Sequence, residues 1–455
     1  MSIASNRSSC CYVKSMDIEN AENRLVLHGS EDHKLLRKRL WDAVKHENIQ
    51  EIELVDMHWT TLDESGNNTA DEGQHHPQRD NSPTSPNDLH RVFERRLFDK
   101  VILRGEQRPI SLDFPVRAIS LQQVHFDPTS RIQFGVQYLK ELSCVSMSLD
   151  QDLIASLSQI FAHNDTVLEK LDLSDSRILN DGPQELELAL QQNQSMKWMS
   201  LSECNLQDEP LTCILRGLRV HPSMEHLDIS FNKCALDGEA IPQLGLILES
   251  TQTLNSLNMG FCAFGSGRQV NLSHIFRCLS NPSEAPESLK VLQLGGNNLH
   301  DDSMNDIVTM LMRNNHLEHL DLSSNRFTDQ AILLLAENLA GMKAVRVLEL
   351  EENEFSKEGV RHLRNNIESN GFIEAIEIDE ELSNTPEGRR LNLHLDLNWG
   401  RQRILSEEKS VPLSLWPLIL ARANNFDENN AGFERVPSSA DIILHFLKKS
   451  PMFQA

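Results

Sequence analysis

The chain has 455 residues, with 43 Lys and Arg against 67 Asp and Glu, for a formal net charge of −24. That balance repels nucleic-acid phosphate and anionic lipid, so it argues against nucleic-acid binding and favours a protein partner with a basic or mixed-charge surface. No apolar run reaches the roughly 18 residues that a membrane-spanning helix needs, and a chain that is 39% hydrophobic but only 5% aromatic suits a long, thin aliphatic core.

Residues 1–30 read as an N-terminal extension. Its opening, MSIASNRSSCCYVKS, lacks an apolar signal core, so the expectation is a cytoplasmic chain, with the nucleus also open, whose 8 cysteines stay reduced. The adjacent Cys10 and Cys11 are candidates for lipidation. HKLLRKRLWDAVKHEN, from His33, has helical periodicity, and IQEIELVDM, from Ile49, reads as a short strand. Residues 61–88 have no apolar periodicity and are rich in Gly, Pro, Ser, Asn and Asp, which predicts a disordered insertion. Ser82 and Ser85 precede prolines there, but an idle linker is the simpler reading. His75 and His76 have no further ligand nearby, so no metal is assigned to them. LHRVFERRLFDKVI reads as a helix, and VRAISLQQV, from Val116, as a strand. The next repeat is placed at Leu142, in preference to a frame starting at Val136.

From Leu168 a nine-residue frame, L-x-x-L-x-L-x-x-N/C, returns at residues 168, 196, 224, 254, 289, 317, 345 and 373. Five of the seven spacings are 28 residues. The copies include LEKLDLSDS, MEHLDISFN, LEHLDLSSN and VRVLELEEN. Places 4 and 6 alternate and predict a very short strand with both side chains inward, place 1 joins the same core, and place 9 closes the turn. Cys204 and Cys262 take place 9 where other copies have Asn232, Asn297, Asn325 and Asn353, so their thiols read as weak donors to turn backbone. Helical segments follow, as in DQAILLLAENLAGM, where Ile332, Leu335, Ala336 and Leu339 form one stripe behind a possible N-cap at Asp329. The extra SNPSEAPES before Leu289 reads as a bulge. LNLHLDLNWG, from Leu391, reads as a last edge strand, and two helical segments, LSLWPLILARANNF and ADIILHFLKKSP, complete a C-terminal cap at 383–455.

The fold predicted is therefore an α/β solenoid over 31–382, with an inner parallel sheet, outer helices and a helical C-terminal cap. The 28-residue spacing with helical outer segments resembles the ribonuclease-inhibitor-like class of leucine-rich repeat proteins, over most of the chain. That resemblance implies protein–protein contact through the concave face or its rim. The class includes inhibitors, sensors, actin-filament cappers and activators of small GTPases. The chain has no G-x-x-x-x-G-K-[ST] for an attached ATPase, and no arginine motif of the GTPase activators transfers to it. Arg177 and Arg326 read as exposed turn residues. Neither G-x-S-x-G, H-E-x-x-H nor paired C-x-x-C is present, so no enzyme, cofactor, catalytic residue or metal ligand is assigned. The reading is a non-catalytic scaffold or adaptor, monomeric or part of a hetero-complex. Activation of a small GTPase and a structural role in a larger assembly are the alternatives.

Places 3, 5 and 8 point to the concave face. At place 8 Phe231 and Phe261 fall on neighbouring repeats and should lie side by side, with Trp198 on the same face as a third aromatic anchor. Asp228 and Asp321 occupy place 5. Residues 348–382 carry eleven acidic and three basic side chains, a net −8, and Glu349, Glu352, Glu377 and Glu380 among them form a candidate steering patch for a basic partner.

Overall fold

A computed structural model describes residues 24–28, 39, 51–55, 98–107, 116–126, 138–149, 154–155, 157–158, 160, 167–219, 221–233, 238–262, 271–281 and 286–406. The insertion at 61–88, the SNPSEAPES bulge apart from its ends, and the two segments expected as cap helices after 406 lie outside these residues, as does the helix from His33 apart from Arg39. The chain divides into two compact units, Met1–Ser143 and Cys144–Ala455.

In the first unit, β1 (Arg24–His28), β2 (Glu51–Val55), β3 (Phe98–Gln107) and β4 (Val116–Phe126) pair in parallel in that order. The register aligns Leu25 with Ile52, Ile52 with Val101 and Val101 with Ile119. Two corrections follow. A strand lies inside the segment read as an N-terminal extension, so the strand array begins before residue 31. Phe98–Gln107 is a strand, whereas the sequence reading extended a helix through Ile102. Val101 and Leu103 fill places 4 and 6 there, and Val101, Ile102 and Leu103 are all buried, so the segment is a short continuous apolar run covered on both faces, which suits a strand of a parallel sheet.

The second unit repeats one unit of chain. β7 (Lys170–Asp172), β9 (Trp198–Ser200), β10 (His226–Asp228), β11 (Ser256–Asn258), β12 (Val291–Gln293), β13 (His319–Asp321), β14 (Val347–Glu349) and β15 (Ala375–Glu377) form one parallel ladder, while the two-residue strands β6 (Ser148–Leu149) and β8 (Arg177–Ile178) pair with each other outside it. Each place-4 residue pairs with the next: Leu171 with Met199, and so on to Leu348 with Ile376. Places 1, 4 and 6 of each copy are buried, as the frame requires. The helices α1 (Gly182–Gln192), α2 (Asp208–Leu218), α3 (Ala240–Ser250), α4 (Ser273–Ser280), α5 (Met304–Arg313), α6 (Asp329–Glu337) and α7 (Lys357–Asn366) pack in sequence along the other side. Strands stack about 5 Å apart and helices about 8–10 Å apart, so within this unit the strand layer is the inner, concave one.

Place 9 stitches the repeats together. Asn325 donates through Nδ2 to the carbonyls of Leu294 and Leu322, and its Oδ1 accepts from the backbone N–H groups of Asn297 and Leu299. Asn232, Asn297 and Asn353 make the same kind of bonds. Cys204 Sγ donates to the Leu173 carbonyl at 3.0 Å and Cys262 Sγ to that of Ile229 at 3.5 Å, the weak substitute expected of a thiol. Place 2 adds a line of ion pairs, Lys197–Glu169, Lys290–Glu318 and Arg346–Glu374.

Three further readings change. β5 (Glu141–Val145) buries Leu142 and Cys144, and Ser146 takes the positive-φ place-8 turn, so the copy starts at Leu139 rather than Leu142 or Val136. Thr328, not Asp329, caps α6 through the Gln330 N–H; Asp329 reaches forward to Ser356 N, Ser356 Oγ and Gly359 N, each at 2.8 Å. Finally, the segment from Leu391 is no edge strand. It belongs to α9 (Pro386–Ser406), which follows the short α8 (Glu380–Ser383). Leu391, Leu395 and Asn398 recur at helical spacing and are buried, while Leu393 is exposed. Asn398 donates to the carbonyls of Asn370 and Ile373, so a helix closes this end of the repeats through a polar bridge.

Candidate functional site

The inner face is built from places 3, 5, 7 and 8 of each copy. Place 5 is held by the turn that follows it. Asp228 Oδ1 accepts from Ser230 N and Ser230 Oγ, and its Oδ2 from Asn258 Nδ2. Asp321 Oδ1 accepts from Ser323 N at 2.8 Å, and Asp172 and Asn258 repeat the bond. An acceptor two residues before a turn amide satisfies backbone left open at the end of a short strand. Asp228 and Asp321 thus sit on the inner face with part of their hydrogen-bonding capacity spent on their own turns.

Place 8 has an unusual backbone. Asp175, Glu203, Phe231, Phe261, Ser324 and Glu352 all have φ between 53° and 60°, and Gly296 has 69°. This left-handed region favours Gly and Asn and is costly for a bulky side chain. Phe231 and Phe261 nevertheless occupy it on consecutive repeats. Their rings stack with centroids 4.5 Å apart and 5° between planes. Phe261 continues onto Gly296, where a Cβ would lie only 2.2 Å from its ring, so that glycine is required both by its own φ and by the aromatic above it. Phe231 remains 40% exposed.

Trp198 does not complete this cluster. The register places it opposite His226 at the start of the strands, while Phe231 lies five residues after His226, past the strand end. The half-buried indole lies instead under the ammonium of Lys170, 4.6 Å from the ring centroid. The aromatic pair and the tryptophan are separate features of one face.

The acidic residues converge more closely. Glu349 pairs in register with Glu377, and Glu349 Oε1 lies 2.5 Å from His319 Nε2. Glu352 accepts from Ser324 Oγ, and its own N–H donates to Asp379. Glu380 is exposed but opens α8 rather than a place-8 turn, so the last copy departs from the pattern there. Glu351, at place 7, was not singled out by the sequence because earlier copies have Ser or Gly at that place. Glu351 is exposed, and partial desolvation of its carboxyl, together with Glu377, Asp379, Glu349 and Glu352 around it, pushes its pKa up. Glu351 is the centre of the acidic patch.

A family model described as "Leucine Rich repeat" matches residues 313–336, which span the β13 copy with its Asn325. The chain thus has the leucine-rich repeat fold. Among curated proteins similar to this chain, human "NACHT, LRR and PYD domains-containing protein 5" is 27% identical over 46% of the chain and 17% of its own length. Mouse "Ribonuclease inhibitor" is 26% identical over 44% of the chain and 42% of its own length. The aligned part thus spans less than half of either relative. Among solved structures, the leucine-rich repeat-containing protein LegL7 from Legionella pneumophila covers 86% of the chain at 16% identity and a TM-score of 0.38. The tropomodulin C-terminal domain from Caenorhabditis elegans covers 37% at 15% identity and a TM-score of 0.31. Among the described residues no helix is long and apolar enough to cross a membrane.

Proposed function

We propose that this protein is a non-catalytic scaffold or adaptor that holds a lysine- or arginine-rich protein against its inner face. Leucine-rich repeat folds generally work by protein–protein contact through the concave face. The observation that carries the finer reading is the crowding of Glu377, Asp379, Glu349 and Glu352 around the Glu351 carboxyl, whose ionisation they oppose. Packing like charges together costs stability, and a basic partner offsets that cost while speeding encounter. Phe231 and Phe261 supply the apolar contact, with Trp198 a second and separate one. The 28-residue repeat favours the ribonuclease-inhibitor-like class within the superfamily. Location in the cytoplasm or nucleus fits the five free, buried cysteines among the described residues.

The test is purification of full-length protein from native extract after mild crosslinking, in parallel with a Glu351→Lys/Glu377→Lys variant. A basic protein recovered by the parent and lost with the variant supports the proposal. Recovery of the same protein at the same yield with the variant refutes it.

A further inference from the structure

On the outer layer of the second unit, one cluster of side chains plays no part in the inner face. Glu249 comes from the last turn of α3, and His274 and Cys278 come from α4. Their ligand atoms, a carboxylate oxygen, an imidazole nitrogen and a thiol sulfur, all lie within 4.8 Å of one another. Cys278 Sγ is 3.2 Å from Glu249 Oε1 and 3.9 Å from His274 Nε2. In a tetrahedral zinc site, metal–ligand bonds of about 2.0–2.3 Å give ligand–ligand edges of roughly 3.5 Å, so the spacing already suits a metal between the groups. His274 and Cys278 are four residues apart, which puts both on one face of the helix, while α3 supplies the third ligand from the preceding repeat.

The neighbouring helix makes room for this arrangement. A Cβ on Gly245 would lie 2.3 Å from both Cδ2 and Nε2 of His274 and 3.4 Å from Cys278 Sγ. Glycine within a helix is unfavourable, yet here its absent side chain is what lets the imidazole lie against α3 beside the thiol.

We propose that Glu249, His274 and Cys278 form a site for a divalent metal of the zinc class, with water in the fourth position. Mixed O, N and S donors select zinc over magnesium or calcium, which take oxygen ligands. In the metal-free protein the Cys278 S–H donates to Glu249. Metal binding replaces that proton, which leaves to solvent, and the thiolate, the imidazole and the carboxylate take the ion. Arg277 Nη2 lies 2.5 Å from His274 Nδ1. A guanidinium only donates, so in the metal-free state Nε2 carries the ring proton. Metal binding at Nε2 moves the ring proton to Nδ1 and requires the exposed Arg277 to swing aside. The site joins two successive repeats on the helical side, where it acts as a clip. The sequence reading assigned no metal, because the three ligands belong to two copies and match no local motif.

Full-length protein, stripped of metal, is titrated with Co²⁺ and then with Zn²⁺ in competition. The expected result is one equivalent of cobalt with a thiolate charge-transfer band in the near ultraviolet, displaced by zinc. Cys278→Ser should lose the band and weaken zinc binding about 100-fold, and His274→Gln should weaken it by about 10- to 100-fold. Gly245→Ala keeps every ligand atom and is a helix-favouring change, so it should stay folded by circular dichroism and still weaken zinc binding at least tenfold. A parent without a thiolate band, a band that survives at full strength in Cys278→Ser, or a Gly245→Ala protein that binds zinc as the parent does would each overturn the proposal.

Discussion

Phe231 separates a binding residue from a core residue on stability alone. Its ring is 40% exposed and sits on a backbone with φ of 56°. Replacement by Asn, which the chain already uses in this conformation at Asn180, Asn205 and Asn298, should recover about 0.5–1 kcal/mol of left-handed strain. Against that stands the stack on Phe261, at 4.5 Å, which contributes about 0.5–1.5 kcal/mol beyond area. The covered part of the ring adds about 1–1.5 kcal/mol of transfer free energy. The net loss for Phe231→Asn is therefore about 1–2 kcal/mol, measured by urea denaturation. Leu227→Ala, from the fully packed place 4 of the same repeat, should lose about 2–5 kcal/mol. Binding of the partner should rank the other way, with Phe231→Asn weakening it at least tenfold. A loss of stability of 3 kcal/mol or more in Phe231→Asn would show that the ring belongs to the core, and the anchor argument would fail.

Other predictions follow from the same geometry. Asn325→Ala leaves two backbone N–H groups and three carbonyls without their bridging partner, so it should cost about 3 kcal/mol and raise hydrogen exchange at Asn297 and Leu299; Asn325→Cys, which keeps one weak donor, should cost less. Burial lowers the pKa of His221 from 6.5 to about 4, so the folded state resists a proton that the unfolded chain accepts. Stability should fall as pH drops from about 6.5 to about 4, by on the order of 3 kcal/mol, and His221→Gln should flatten that window in chemical denaturation. For Glu351 the raised pKa means that ionisation opposes folding above the ordinary value of 4.5. Glu351→Gln should thus raise Tm at pH 7 in low salt, with the gain shrinking in high salt and vanishing below pH 4.5. The buried thiols of Cys144 and Cys204, both pushed up to about 12 mainly by burial, should resist alkylation at pH 8 until the protein unfolds, as read by peptide mass spectrometry.

The repeat made most of the second unit legible in advance. Once places 4 and 6 were set by Leu171 and Leu173, the period carried the ladder through to Ile376, and with it the juxtaposition of Phe231 and Phe261. What the frame could not carry lay where the period breaks. The strand from Phe98 is preceded by charges at helical spacing, and its consecutive buried residues Val101, Ile102 and Leu103 offer no two-residue alternation to set against them. The segment from Leu391 satisfies strand and helix spacing at once, because Leu391, Leu393 and Leu395 alternate while Leu391, Leu395 and Asn398 share a helical face. Only tertiary context, the open carbonyls of Asn370 and Ile373, decides for the helix. Glu351 stayed hidden because its charge matters only through neighbours on two strands. The Trp198 grouping rested on a shared face, without accounting for the distance along the strand between places 3 and 8.

The central claim, that the inner face binds a basic protein, is tested most directly by placing a photocrosslinking amino acid on each side of the second unit. One site replaces Phe261 on the inner face, and the other replaces Leu188, which is 57% exposed on α1. Both full-length proteins are irradiated in native extract at low and high salt. The account predicts a discrete adduct from position 261 that weakens as salt rises, and no such adduct from position 188. A discrete adduct from position 188 alone, or an adduct at 261 that is indifferent to salt, would contradict it.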